Sequence, residues 1–366
     1  MCSHTPIRRA AAALLFAATA ALTTPGAAAE AGRTPVVAIV ALNDGTETTD
    51  FLIPFGVLTA SGAVEVHPVS TGPGPVQLHP ALTVELDETI DSFDAGHPGG
   101  ADFVIVPAVH DPKDKRLLAW LAAQSKRGAT LVAICDGIWA VAGTGVLDGR
   151  SATAHWYSLD DLESQYPKTR WIRDRRYVRD GPVMSTTGVT ASIPASLALV
   201  EEIGGPGRAR TVADDLGVDQ WSSAHESARF SLSLGDVATA ARNWLGFWRW
   251  ETVGIPVAPG MDEIALGLMA DALARTYRST VLTLSTSTDA VRLKHGMRLL
   301  PDTTEEARVD RVENVPGENT AEAPATAALD RALTSIAHIH GEATADFVAL
   351  QIEYPARRRG SEQAAR

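Results

Sequence analysis

Short apolar runs alternate with amphipathic stretches from Pro35 onward. That alternation is the pattern of a parallel sheet covered by helices on both faces. Buried strands are expected at Val36–Leu42, Val64–Ser70, Phe103–Pro107, Thr130–Ile134 and Val183–Thr186. Helices are expected at Asp50–Ala60, Lys115–Arg127, Ile138–Thr144, Ser158–Gln165 and Ser192–Ile203. The glycine-rich Gly204-Gly205-Pro206-Gly207 closes this series, and a helical extension carries the first unit, 34–230, to its end.

The second half repeats the first. At an offset of 215 residues, Gly45 falls on Gly260, Leu58 on Leu273, Val66 on Val281, Val76 on Val291, Leu78 on Leu293 and Asp87 on Asp302. The identities are sparse, but they fall on strand, helix and hairpin positions in the same order. Ala328–Tyr354 likewise resembles the end of the first unit around Gly204-Gly205. A degenerate α/β half-repeat is therefore expected over 231–356, followed by a polar tail at 357–366. The acidic, proline-bearing stretch between 305 and 327 reads as a polar loop. Trp244, Phe247, Trp248 and Trp250 are expected to pack the second half onto the first.

At the amino end, Arg8 and Arg9 precede an apolar run from Ala10 to Leu22, then Pro25-Gly26 and the small residues Ala27-Ala28-Ala29. This is the layout of a secretory signal over 1–31, too short to span a bilayer, and it predicts an exported, periplasmic or secreted protein. Cys2 would leave with the signal, so Cys135 would be the one cysteine kept. A lone cysteine forms no intramolecular disulfide, and the fold must rest on its core. The formal charge of −12 argues against nucleic acid or an anionic membrane as partner. No metal-ligand spacing, phosphate loop or helix-turn-helix stands out, and no cofactor is implied.

Thr130-Leu-Val-Ala-Ile-Cys135-Asp-Gly-Ile-Trp reads as a buried strand, a sharp turn on the cysteine and a helix just after it. Such an elbow lifts a nucleophile above the carboxyl edge of a sheet and favours the thiolate. The plain alternative is a small buried apolar residue.

Together with this elbow, Asp50-Phe-Leu-Ile-Pro-Phe-Gly-Val-Leu58, Ala152-Thr-Ala-His155-Trp156 and Thr187-Gly-Val-Thr-Ala191 resemble the ThiJ/PfpI family. The run from Gly143 to Trp156 is most similar to the branch holding isonitrile hydratases and the ligand domains of AraC-type regulators. The resemblance covers roughly 35–215 and implies a flavodoxin-like, class I glutamine-amidotransferase-like sandwich. It implies Cys135 as nucleophile, Asp50 as a carboxyl that donates a hydrogen bond to the sulfur, and His155 as base or orienting partner. It also implies an oxyanion hole from the amide of Asp136 and a second amide near Val109. Two departures stand out: Asp136 replaces the threonine of the isonitrile hydratases, and Pro107-Ala108-Val109-His110 replaces a Gly-Gly turn. A carboxylate beside the thiol opposes its ionisation.

The function expected is a cysteine-dependent hydrolase or hydratase acting on a small molecule. The alternatives are a non-catalytic small-molecule sensor and a redox sensor working through Cys135 sulfenate. A small-molecule ligand is the expected partner, with a homodimer or a pseudo-dimer within one chain as the assembly.

Overall fold

In the computed structural model, residues 33–316 and 323–355 are described. The expected signal segment, 1–31, and the polar tail, 357–366, lie outside them. A seven-stranded sheet runs, in spatial order, Tyr177–Asp180, Val183–Thr186, Thr130–Ala133, Phe103–Val106, Val36–Ala41, Glu65–Ser70 and Glu88–Thr89. All neighbours are parallel except the first pair. Successive side chains of a strand face opposite ways, and the central strand divides accordingly. Val37, Ile39 and Ala41 join the core under helices Thr48–Ser61 and Ser192–Gly204, whereas Val36, Ala38 and Val40 join the core under Lys115–Lys126 and Ile138–Gly143. Burial on both faces explains why this strand is continuously apolar. The five expected strands and the five expected helices are all present, within a few residues at their ends.

The repeat is visible in three dimensions. Strand Glu251–Pro256 takes the place of Val36–Ala41, Ser279–Leu284 that of Glu65–Ser70, and helix Glu263–Ala274 that of Thr48–Ser61. The bridge of Val69 with Glu88 recurs as that of Leu284 with Thr303, at the same offset of 215. Asp102 takes the Val36 amide and Asp310 takes the Thr252 amide, both at 2.7 Å. The helix pairs Ser192–Gly204 with Pro206–Leu216 and Ala327–His340 with Glu342–Gln351 each turn on a glycine at positive φ, Gly205 and Gly341.

One expectation fails inside the copy. The described part of the expected polar loop, 305–316 and 323–327, contains strand Arg311–Val312, parallel to Glu251–Pro256, in the role of Phe103–Val106. It is only two residues long and flanked by charge, so no apolar run marks it. Arg311 is held there by Glu251 and Glu313.

The halves share structure. Hairpin strands Val291–Arg292 and Arg298–Leu299 extend Thr83–Glu85, Val76–His79 and Asp44–Glu47 into one five-stranded sheet. Helices Thr48–Ser61 and Glu263–Ala274 cross closely, because a Cβ on Gly56 would lie 2.7 Å from Ile264 and one on Gly267 would lie 3.3 Å from Leu52. Nearly every residue of both helices is buried. The tryptophan cluster plays no part in this junction. Trp244, Phe247, Trp248 and Trp250 are exposed, and the crossing helices supply the seam instead.

Candidate active site

Cys135 follows the edge of strand Thr130–Ala133 and takes a left-handed backbone, φ 52°, at the head of a single turn, Cys135–Gly137. A non-glycine residue in that region is held only by its surroundings. Its amide donates to the Thr186 hydroxyl at 3.0 Å. Gly137 is required for a different reason: a Cβ there would lie 2.0 Å from the Val106 carbonyl oxygen. The backbone of Val106 and Pro107 thus presses directly on the elbow.

Asp50 sits in the first turn of helix Thr48–Ser61 and is fully buried. The cap of that helix is Glu47, whose carboxylate accepts the Asp50 amide at 2.5 Å and the Thr49 hydroxyl. Freed from capping, the Asp50 carboxyl accepts the Ala108 amide on Oδ2 at 3.2 Å, while Oδ1 is buried without a hydrogen-bond partner among the described residues. The expected hydrogen bond from Asp50 to the sulfur is therefore not formed.

Arg275, from the second half, reaches this site. Its guanidinium pairs with Glu47 at 2.6 Å and with Asp271 at 2.9 Å. Three buried carboxyls share one cation, so the charges cannot all persist. Burial, reinforced by the neighbouring Glu47 charge, raises Asp50 well above the usual carboxylate range. Burial likewise pushes Asp271 up to about 7 against the pull of Arg275. The Cys135 thiol is pushed well above its ordinary value, first by burial and then by the charges of Asp50, Asp136, Glu47 and Glu353. The sequence expectation of an acidic thiol is reversed. The helix after the elbow, Ile138–Gly143, is too short to offset four carboxyls.

His155 has spent both ring nitrogens. Nδ1 accepts the Tyr157 amide at 3.3 Å, which leaves Nε2 as the donor to the Gln351 carbonyl at 3.0 Å. In that tautomer no lone pair is left to take a proton from Cys135, so the role of base expected for it has no geometric support here. Its neighbour is Glu353, near the end of the described chain, which accepts the Trp156 amide and lies 3.3 Å from His225 Nε2. His225 stacks on Phe230. A cavity of about 460 Å³ opens on this side, lined by Thr153, Trp156, Tyr157, His225, Phe230 and Glu353, and by neither Cys135 nor Asp50.

The two expected oxyanion amides differ. The Asp136 side chain keeps one buried oxygen unpartnered among the described residues. At Val109, an antiparallel bridge to Thr46 uses the Ala108 carbonyl and the His110 amide, leaving the Val109 amide outside that ladder. Ala108 gives its amide to Asp50, so the turn that replaces Gly-Gly serves the acid first. Sequence reasoning missed Glu47, Asp271, Arg275 and Glu353. Glu47 carried a legible signal, an acidic residue three before Asp50 at a helix start. The other three reach the site only through the folding of the second half.

A family model described as the DJ-1/PfpI family matches residues 36–202. Isonitrile hydratase of Pseudomonas putida is 30% identical over 170 residues, which cover 44% of this chain and 70% of that enzyme. The chain belongs to the DJ-1/PfpI family. The HTH-type transcriptional regulator CdhR of Pseudomonas aeruginosa is 31% identical over 151 residues, spanning 40% of this chain and 43% of the regulator. Among solved structures, Drosophila melanogaster DJ-1beta aligns at a TM-score of 0.46 and 20% identity, covering 51% of this chain and all of that one. The DJ-1/PfpI match ends at 202, before the half-repeat that supplies Arg275.

Proposed function

We propose that this chain is an exported hydratase that adds water, through Cys135, to a small uncharged molecule with an electron-rich unsaturated carbon, of which an isonitrile is the model. The observation that carries the reading is the pairing of a buried Asp50, its pKa raised well above the usual carboxylate range and its Oδ1 without a hydrogen-bond partner among the described residues, with a thiol pushed above its ordinary value on a strained elbow. An amidase needs a resting thiolate, whereas addition to an isonitrile needs a proton donor as much as a nucleophile. The likeness to isonitrile hydratase supports the substrate class, and the leader-like sequence over 1–31 supports export.

The step balances without a cofactor. Asp50 gives its proton to the terminal carbon of the isonitrile and the sulfur bonds to the same carbon, the thiol proton returning to Asp50. A thioimidate results. Water then adds to that carbon, the C–S bond breaks, and the N-substituted formamide leaves as the thiol regains its proton. The amides of Asp136 and Val109 face no oxyanion in the first step, which removes the need for a preformed hole.

The test is incubation with a simple alkyl isonitrile, following the formamide by NMR. Formamide should appear with the wild type, vanish with Cys135→Ala and fall at least about a hundredfold with Asp50→Asn. Saturable binding without turnover would replace this reading with that of a binding module, which the occupied ring of His155 favours. The raised thiol argues against a redox sensor, since oxidation starts from the thiolate.

A further inference from the structure

Glu65, His67 and His97 bring a carboxylate oxygen and two ring nitrogens within 4.8 Å of one another. Glu65 and His67 are two apart on strand Glu65–Ser70 and therefore share a face, and His97 caps the carboxyl end of helix Ile90–Gly96. The strand starts at the amino edge of the sheet, where Glu65 pairs with Val36, whereas Cys135 follows the carboxyl edge. The cluster is thus remote from the candidate active site.

Its groups are poorly served as ion pairs. His67 Nε2 lies 3.1 Å from Glu65 Oε1 and Nδ1 lies 3.3 Å from Glu88 Oε2. Yet His67 Nε2 and Glu88 Oε2 are both buried atoms without a hydrogen-bond partner among the described residues, so these close approaches lack hydrogen-bond geometry. Two ligands bound tetrahedrally to one zinc ion stand about 3.3 to 3.5 Å apart, close to the 3.1 Å between His67 Nε2 and Glu65 Oε1. The rings are also pre-set. His97 stacks on Phe93 with centroids 4.5 Å apart and places Nδ1 3.3 Å from the Phe93 carbonyl, which leaves Nε2 as the ligand. His67 meets both rings edge-on. Glu88, behind His67, supplies the outer carboxylate that commonly orients a metal-bound imidazole.

We propose that Glu65, His67 and His97 form a binding site for a divalent transition cation of the zinc class, with Glu88 orienting His67. Two imidazoles and one carboxylate suit zinc over magnesium or calcium and leave a fourth position for water or an incoming ligand. No spacing in the sequence marks the site, because His97 lies thirty residues beyond His67. The repeat lacks it, since Thr280 and Leu282 stand at the equivalent positions.

The test uses the untagged full-length chain, stripped with chelator and titrated with zinc alone against a chromophoric competitor. One equivalent should bind, and Glu65→Gln, His67→Ala and His97→Ala should each weaken it at least about tenfold, with Glu88→Gln weakening it less. Glu65 is exposed, so its variant does not endanger folding. Cys135→Ala and His110→Ala should bind like the wild type, and the cobalt form should show no thiolate charge-transfer band. Absence of stoichiometric binding overturns the proposal. So does wild-type affinity in both His67→Ala and His97→Ala, or loss of the equivalent in Cys135→Ala or in His110→Ala, which would move it to Cys135 or to the edge-on His79–His110 pair.

Discussion

Cys135 occupies a nucleophile's backbone position in surroundings that oppose ionisation. Burial and four carboxyls act in the same direction, and Arg275 is already engaged by Glu47 and Asp271. The pH midpoint of alkylation in the folded protein should therefore lie above that of a free thiol, about 8.5. In the pH range where Asp50 is ionised, Asp50→Asn removes one negative charge near the sulfur and should lower that midpoint; an unchanged or higher midpoint would disprove the coupling. Asp50 also links pH to stability. Its carboxyl pKa is higher folded than unfolded, so the folded state binds the extra proton between the two values, and stability falls as pH rises through that window. Asp271, raised from 3.8 to about 7, acts with the same sign. Relative to the wild type, Asp50→Asn should thus gain stability steadily from about pH 4 upward. Parallel urea midpoints across that range would show that Asp50 ionises freely. The reversal at Cys135 was only half legible: Asp136 stood beside it in sequence, but Glu47, Asp50 and Glu353 converge on it only in the fold.

At the scale of elements, the crossing of helices Thr48–Ser61 and Glu263–Ala274 carries the junction. Gly56 sits where the two backbones approach, under Ile264. Gly56→Leu forces the helices apart and should cost about 1–3 kcal/mol, read from the urea midpoint. The tryptophan cluster gives the contrasting expectation. Trp248 is 71% exposed, so Trp248→Ser should change stability by less than about 0.5 kcal/mol. A larger loss would mean that the cluster is covered in solution. Composition misled here because aromatic residues are commonly core residues, and only the path of the chain shows that helix Leu234–Leu245 turns Leu234 and Trp244 outward.

At the scale of the molecule, one chain holds a complete unit and a partial copy packed around a shared core. The copy contributes Arg275 to the first unit's acid cluster and Glu353 to the His155 side. A chain cut after Gly205 loses both, together with the cover on helix Thr48–Ser61. It should aggregate or dimerise where the full chain does not, which sedimentation would show. A monomeric fragment of full thermal stability would instead make the second half an independent domain.

The sequence by itself determined the main sheet, its helices, the repeat and the Cys135 elbow. Each is written locally, in apolar periodicity or in a few adjacent residues, and local patterns survive any arrangement of the rest. Tertiary structure alone decided the electrostatics and the partners. The raised pKa of Asp50 depends on burial in the assembled core and on Glu47, opposed by an arginine more than two hundred residues away, and the idle ring of His155 depends on the carbonyl of Gln351. Charge and hydrogen bonding are set by distance in space, and no spacing along a chain encodes that distance until the chain has folded.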